Sequence, residues 1–104
     1  AFGFDKPSDP STPEMPANLT VVAGALGSKT LIADWDDARR ADSYRLRAVT
    51  KADGKEVANV IAQDSQLSLT LDKVAAGAVV VLTVTARNAT GESPAGNTVE
   101  IAVP

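Results

Sequence analysis

Residues 30–36 have the sequence Thr-Leu-Ile-Ala-Asp-Trp-Asp. In an extended strand, alternation with a period of two places Leu31, Ala33 and Trp35 on one face. The opposite face carries Ile32, Asp34 and Asp36, and the tryptophan face must be the buried one. The stretch therefore predicts a β-strand that is buried on one side.

After Pro16 the chain continues in the same pattern, with short runs of Val, Leu, Ile and Thr between clusters of Gly, Asp, Asn and Pro. No long segment keeps the 3.6-residue period of an amphipathic helix. The sequence predicts seven strands, at residues 17–23, 30–36, 43–49, 56–63, 67–72, 79–88 and 97–103. Short strands with an early inward tryptophan favour an all-β, immunoglobulin-like sandwich of two antiparallel sheets. The predicted core is Leu31, Trp35, Tyr44, Leu46, Leu71, Val74, Leu82 and Val84.

A proline-rich stretch precedes the predicted strands. Pro7, Pro10, Pro13 and Pro16 recur at every third residue among polar side chains, a spacing that matches one turn of a polyproline II helix. We therefore predict a linker or tail at residues 1–15 and one sandwich domain at residues 16–104. Phe2 and Phe4 either belong to a preceding domain or pack on the sandwich.

Several residues between Pro16 and Val103 stand at spacings that point to one family. They are Pro16, Leu31, Trp35, Tyr44, Leu71, Val74, Gly77, Leu82, Val84, Ala86, Asn88, Gly91 and Ser93. In this combination the chain resembles the fibronectin type III family, which implies that family's seven-stranded topology. Val80 stands where the family usually has a tyrosine, and Ala76 where it usually has a proline. We expect this corner to be packed by Leu71, Val74 and Val80 alone.

Composition excludes most catalytic chemistry. The chain has no Cys and no His, which removes thiolate catalysis, disulfides, Cys/His zinc sites and every triad with an imidazole base. No serine has a lysine at Ser-x-x-Lys spacing. We therefore predict a protein that is not an enzyme and uses no cofactor.

Charge and hydropathy exclude two classes of partner. Ten basic against thirteen acidic residues give a net charge of −3, so we expect no nucleic-acid binding. No apolar run approaches the roughly 20 residues of a membrane-spanning helix, so we expect no membrane insertion. Polysaccharide binding would need exposed aromatic platforms, and the few aromatic residues do not support it. Asn18 and Asn88 begin glycosylation sequons that would be used only in a secreted eukaryotic protein.

An acidic cluster surrounds the loop after the tryptophan strand. Carboxylates in such number could hold Ca²⁺, but their spacing follows no known calcium loop, and two adjacent arginines would compete for them. The alternative interpretation, a solvated acidic loop, is the better one. The cluster is Asp34, Asp36, Asp37 and Asp42, and the arginines are Arg39 and Arg40.

Outward-facing residues divide into two surfaces when they are sorted by the sheets of the resembled fold. The first surface is acidic and polar, with Asn18, Thr20, Asp34, Asp36, Ser68 and Thr70. The second is expected to be basic with an apolar edge, and we predict it to be the partner-binding face: Arg45, Arg47, Val79, Val81, Thr83, Thr85 and Arg87. The β-propensity of valine is an equally good explanation for its valines. Opposite charges on the two surfaces would permit weak association of two copies.

These observations predict a non-catalytic spacer, docking or adhesion module of a larger extracellular or cell-surface protein, for example an accessory module of a bacterial carbohydrate-active enzyme. The partners would be neighbouring domains of the same or another protein, and the isolated module would be monomeric. The alternatives are a structural or decoration module of a virion or surface appendage, and a module that binds a ligand directly.

Overall fold

The computed structural model describes residues 12–104. The first eleven residues of the predicted linker, with Phe2 and Phe4, lie outside this part of the chain. The described residues form eight strands: β1 (Thr20–Ala23), β2 (Thr30–Asp34), β3 (Ser43–Thr50), β4 (Glu56–Ala62), β5 (Gln66–Thr70), β6 (Val79–Asn88), β7 (Gly91–Glu92) and β8 (Val99–Ala102). Within this range no segment forms a helix that could cross a membrane.

The strands form two antiparallel sheets. One sheet has three strands in the order β1-β2-β5, and the other has five, in which β4, β3 and β6 lie side by side and β6 also pairs with β7 and β8. The apolar rows of both sheets face each other and enclose one core. The predicted all-β sandwich is therefore confirmed.

Trp35 lies in the centre of this core. It is 3% exposed, and its ring meets that of Tyr44 edge to face, with 5.4 Å between the ring centroids. The Tyr44 hydroxyl accepts a hydrogen bond of 2.9 Å from the backbone N–H of Ala38, which secures the β2–β3 loop. Every residue of the predicted core is buried, and Val80 is fully buried beside the corner residues Leu71 and Val74.

Several strands are shorter than predicted because backbone groups near their ends bond elsewhere. β1 begins at Thr20 instead of residue 17, since the N–H and C=O of Leu19 bond the side chain of Asn97. β2 ends at Asp34, since the N–H of Trp35 donates to Ser65 and that of Asp36 to Ala17. The unpredicted strand β7 has only two residues, too few to show any period.

The sandwich has two ends, which we name from the course of the chain. At the entry end lie the loops after β2, β4 and β6, and there Asp36 bonds Ala17 of the segment before β1. At the exit end lie the loops after β1, β3 and β5, and there Val103, after β8, exchanges backbone hydrogen bonds with Gly77 and Ala78. The described chain therefore enters at one end and leaves at the other.

Candidate functional site

The predicted partner-binding residues share the outer face of the five-stranded sheet. The antiparallel register of β3 and β6 places Arg45 opposite Thr85 and Arg47 opposite Thr83. Val81 lies opposite Val49 in the same register, one step closer to the exit end. The structure thus brings the predicted set together on one surface, which we call the β3–β6 face: Arg45, Arg47, Val79, Val81, Thr83, Thr85 and Arg87.

The β3–β6 face is not basic, contrary to the sequence-based expectation. The carboxylate of Glu92 lies 3.1 Å from Arg45 Nε and 3.5 Å from Arg87 Nε. Arg47 pairs with Glu56 at 2.8 Å, and Lys51 pairs with Glu100 at 2.8 Å. Each of these four cations therefore has a carboxylate beside it.

The sequence did not predict these ion pairs, because their carboxylates lie on strands that were not assigned to this face. Glu56 is on β4, Glu92 on β7 and Glu100 on β8. Pairing of β8 with β6 puts Glu100 opposite Val81. In the last predicted strand, residues 97–103, alternation with a period of two separates Glu100 from Val99 and Ile101. This signal could have placed Glu100 on the outside. For β7 the sequence offers no such signal.

Glu92 is the centre of the charge network. Thr85 donates a hydrogen bond of 2.5 Å to its carboxylate, and this bond is the largest cause that holds the pKa of Glu92 below its ordinary value. The charges of Arg45 and Arg87 lower the pKa further, and partial burial opposes them. The carboxylate is therefore held ionised between β3 and β6 and ties both strands to β7.

The apolar part of the β3–β6 face lies at the exit end. Val79 is 38% exposed there and accepts a backbone hydrogen bond from Lys51. It borders an open recess of about 430 Å³, lined by Thr50, Lys51, Ala52, Asp53, Ala78 and Val79. The lining of the recess is mostly apolar.

The outer face of the three-stranded sheet is less polar than predicted. Asp34 and Ser68 are exposed on it, as expected from their alternation. Val22 and Ile32 are also paired on this face, and Val22 is 57% exposed. The acidic and polar surface is therefore interrupted by an apolar pair.

The acidic cluster is spread over the entry end. Asp36 accepts a hydrogen bond of 2.6 Å from the Asn18 side chain. Among residues 12–104, no three acidic side chains come close enough together to hold a metal ion. All four carboxylates of the cluster are exposed.

The last residues of the predicted linker contact the sandwich at the entry end. Pro13 is buried, and the N–H of Glu14 donates to the carbonyl of Arg39 at 3.0 Å. Arg40 Nε donates to the carbonyl of Thr12 at 2.8 Å. Packing of the described chain therefore begins before residue 16.

Comparison with known proteins rests on structure alone, because neither a family model nor a curated protein matches the sequence. The structure of FN3tt superposes with a TM-score of 0.70 at 19% identity, over 86% of this chain and 92% of that chain. The fold is that of a fibronectin type III domain. An Fn3-like protein from Clostridium thermocellum gives a TM-score of 0.67 at 23% identity, over 88% of this chain and 94% of that one.

Fibronectin type III domains of longer proteins are also similar. The structure of the chicken CNTN1 FN1-FN3 domains gives a TM-score of 0.67 at 19% identity, and the match covers 95% of this chain but only 31% of that chain. At such identities the similarity establishes the fold. The predicted resemblance is therefore confirmed at the level of the fold.

Proposed function

We propose that this fibronectin type III domain is a non-catalytic module that spaces and docks neighbouring domains in a larger extracellular or cell-surface protein. The observation that carries the proposal is the course of the chain, which enters at one end of the sandwich and leaves at the other. A module of this geometry adds its own length between its neighbours. The ten residues of β6 correspond to about 34 Å at roughly 3.4 Å per residue.

Both junctions of the chain with the sandwich support a defined spacing. At the entry end, Arg40 and the Arg39 carbonyl hold residues 12–14 through hydrogen bonds of 2.8 and 3.0 Å. At the exit end, Val103 is 2% exposed and exchanges two backbone hydrogen bonds of 2.9 Å with Gly77 and Ala78. A neighbouring domain joined at either end would therefore be attached to an ordered part of the module.

The β3–β6 face is the proposed docking surface, with Val79 and the adjacent recess as its apolar part at the exit end. Its arginines are already paired, so they would contribute register and specificity more than a general attraction to acidic partners. The apolar recess would contribute the affinity, through burial of an apolar side chain from a neighbouring domain. An accessory role in a bacterial carbohydrate-active enzyme is one setting that fits such a module.

The spacing can be measured directly because the chain has no native cysteine. Spin labels at Ala17→Cys and Ala76→Cys, both exposed and at opposite ends, should give a single narrow distance of about 35 Å by pulsed EPR. The matched control pair, Ala17→Cys with Ala89→Cys, lies at the entry end and should give a much shorter distance. A broad distribution for the first pair would contradict a rigid spacer.

Binding assays separate the spacer from a ligand-binding module. The chain should not sediment with insoluble cellulose, chitin or xylan, because residues 12–104 contain only two aromatic side chains and both are buried. Saturable binding to any of these polymers would overturn the proposal in favour of direct carbohydrate recognition.

A further inference from the structure

The charged side chains of the loops are divided between the two ends of the sandwich. At the exit end, the loops after β1, β3 and β5 carry four lysines and two aspartates: Lys29, Lys51, Lys55, Lys73, Asp53 and Asp72. At the entry end, the loops after β2 and β4 and the segment before β1 carry five acidic residues and two arginines: Glu14, Asp36, Asp37, Asp42, Asp64, Arg39 and Arg40. The exit end is therefore positive by two charges, and the entry end is negative by three.

These end charges are only partly neutralised by neighbours in the described part of the chain. Among the exit-end lysines there, only Lys51 forms an ion pair, with Glu100 at 2.8 Å. At the entry end, Arg39 lies 3.9 Å from Glu14. The Debye length at an ionic strength of about 0.1 M is about 10 Å, much shorter than the roughly 34 Å that β6 spans between the ends. Each end therefore presents its own charge to a partner.

Leu26 is held at the tip of the exit end by a tight turn. Ser28 donates two hydrogen bonds to the carbonyl of Ala25, of 3.0 Å from its N–H and 2.6 Å from its hydroxyl. Gly27 follows at a φ of 83°, the left-handed region that favours glycine. Leu26 is 95% exposed. Single exposed leucines are common, but this one is fixed by its turn, so a partner that buries it orders little additional backbone.

The entry end has an open recess of about 310 Å³ beside the β6–β7 turn. Its lining is mostly apolar and consists of Arg40, Asp42, Asn88, Ala89 and Thr90. Asn88 donates a hydrogen bond of 2.9 Å to the carbonyl of Arg40, which joins the two loops that form the recess. A cavity of about 150 Å³ already holds a benzene molecule, so this recess has room for a leucine side chain.

We infer that the exit end of one copy of this chain docks on the entry end of a second copy. Leu26 enters the recess beside Ala89, and the exit-end lysines face the entry-end aspartates. The contact is heterologous, so a dimer keeps one free end of each kind and further copies add head to tail. A contact between two ends is small, so the association is weak and depends on concentration. The inference goes beyond the proposed function, because it concerns separate copies and needs no neighbouring domain.

Sedimentation velocity of the full chain from about 10 μM to 1 mM tests the inference. The weight-average mass should rise with concentration at an ionic strength of about 0.1 M and rise less at about 1 M, where the Debye length is about 3 Å. Leu26→Ser should weaken the association by about tenfold, because it removes the buried apolar side chain. Val22→Thr changes another exposed apolar residue, away from both ends, and should associate like the unmodified chain.

A mixing experiment tests the head-to-tail direction. Ala89→Lys fills the recess and adds a positive charge beside it, so this variant should also associate about tenfold more weakly than the unmodified chain. An equal mixture of Ala89→Lys and Leu26→Ser should recover dimers, because the first variant keeps its leucine and the second keeps its recess. Pairing of two exit ends through Leu26 would give no such recovery and would overturn the inference.

Two double variants test the charges at equal net charge. Lys55→Gln with Lys73→Gln, and Ser68→Glu with Thr98→Glu, each change the net charge from −3 to −5 at exposed positions. Only the first pair removes charge from an end, so it should weaken the association by about threefold more than the second. Equal effects of the two pairs would overturn the inference.

Thermal unfolding should show that every variant remains folded. A chain that stays monomeric at every concentration overturns the inference, as does association that is unchanged in Leu26→Ser. A monomeric chain that binds vesicles of phosphatidylcholine and phosphatidylserine through Leu26 would assign the exit end to a lipid surface instead. None of these outcomes changes the distance expected between the labels at positions 17 and 76, so the spacer function is tested separately.

Discussion

Trp35 combines a favourable ring contact with an unfavourable polar group. Its edge-to-face contact with Tyr44 stabilises the core by about 0.5–1.5 kcal/mol beyond the area that it buries. Its indole N–H, however, is buried and meets no acceptor among residues 12–104. A buried donor without a partner costs about 1–3 kcal/mol, so the indole does not stabilise the fold by its full apolar burial.

We expect Trp35→Ala to lower the free energy of unfolding by about 3–5 kcal/mol, because it leaves a cavity in the core. Trp35→Phe should cost clearly less, about 1–2 kcal/mol, because it retains a ring against Tyr44 and removes the unpartnered donor. Urea unfolding followed by far-UV circular dichroism measures both. Equal losses for the two variants would show that the indole N–H has an acceptor in solution.

Gly96 shows how one missing side chain permits a close approach. A Cβ atom at this position would lie 2.1 Å from the carbonyl oxygen of Pro16, a distance that no relaxed structure contains. The glycine allows the segment before β8 to pass directly beside the segment before β1. Leu19 and Asn97, one to three residues further along these segments, then exchange two hydrogen bonds of 2.9 and 3.0 Å.

Gly96→Ala should therefore destabilise the domain by about 1–3 kcal/mol, since backbone must move to relieve the overlap. The neighbouring substitution Ala95→Gly, at an exposed position, is the control and should cost less than about 1 kcal/mol. Thermal unfolding measured by circular dichroism distinguishes the two. An unchanged melting temperature in Gly96→Ala would mean that these segments separate readily.

At the scale of elements, the two-residue strand β7 is secured by a side chain more than by its own ladder. Glu92 accepts hydrogen bonds from Thr85 on β6 and Arg45 on β3, at 2.5 and 3.1 Å. The adjacent Ser93 is buried, and its hydroxyl accepts a hydrogen bond of 2.9 Å from the N–H of Ala86. A short strand with little backbone pairing thus becomes part of the sheet.

The lowered pKa of Glu92 predicts how this element responds to pH. Because the folded-state pKa lies below the ordinary value of 4.5, the carboxylate stabilises the fold above pH 4.5, and this contribution is lost as the pH falls through the folded-state pKa. Glu92→Gln should lower stability at pH 7 by less than about 1 kcal/mol, since the site is partly exposed. The difference should disappear at a pH well below 4.5, as urea unfolding at several pH values would show. A constant difference across this range would assign the effect to packing.

Across the domain, the buried face of a strand was predictable from its own sequence. The side chains that meet on a sheet surface were not, because they depend on which strands pair. The alternation around Trp35 identified the buried row of β2 correctly, with Leu31, Ala33 and Trp35 all buried, because one face of that sheet lies in the core. The charge of the β3–β6 face was predicted wrongly, because its carboxylates arrive from strands distant in sequence. Glu56 and Glu92 reach this face because of the sheet order and the β6–β7 hairpin. The alternation of residues within a single strand contains no information about either.

The passage of the chain from one end of the sandwich to the other also determines how the module responds to force. A pull on the segments before β1 and after β8 acts along both strands in opposite directions. The hydrogen bonds that join β1 to β2 and β8 to β6 lie across this direction, so each ladder is sheared as a unit and is not opened bond by bond. A tether containing this module should therefore transmit load with little extension until a whole ladder fails at once.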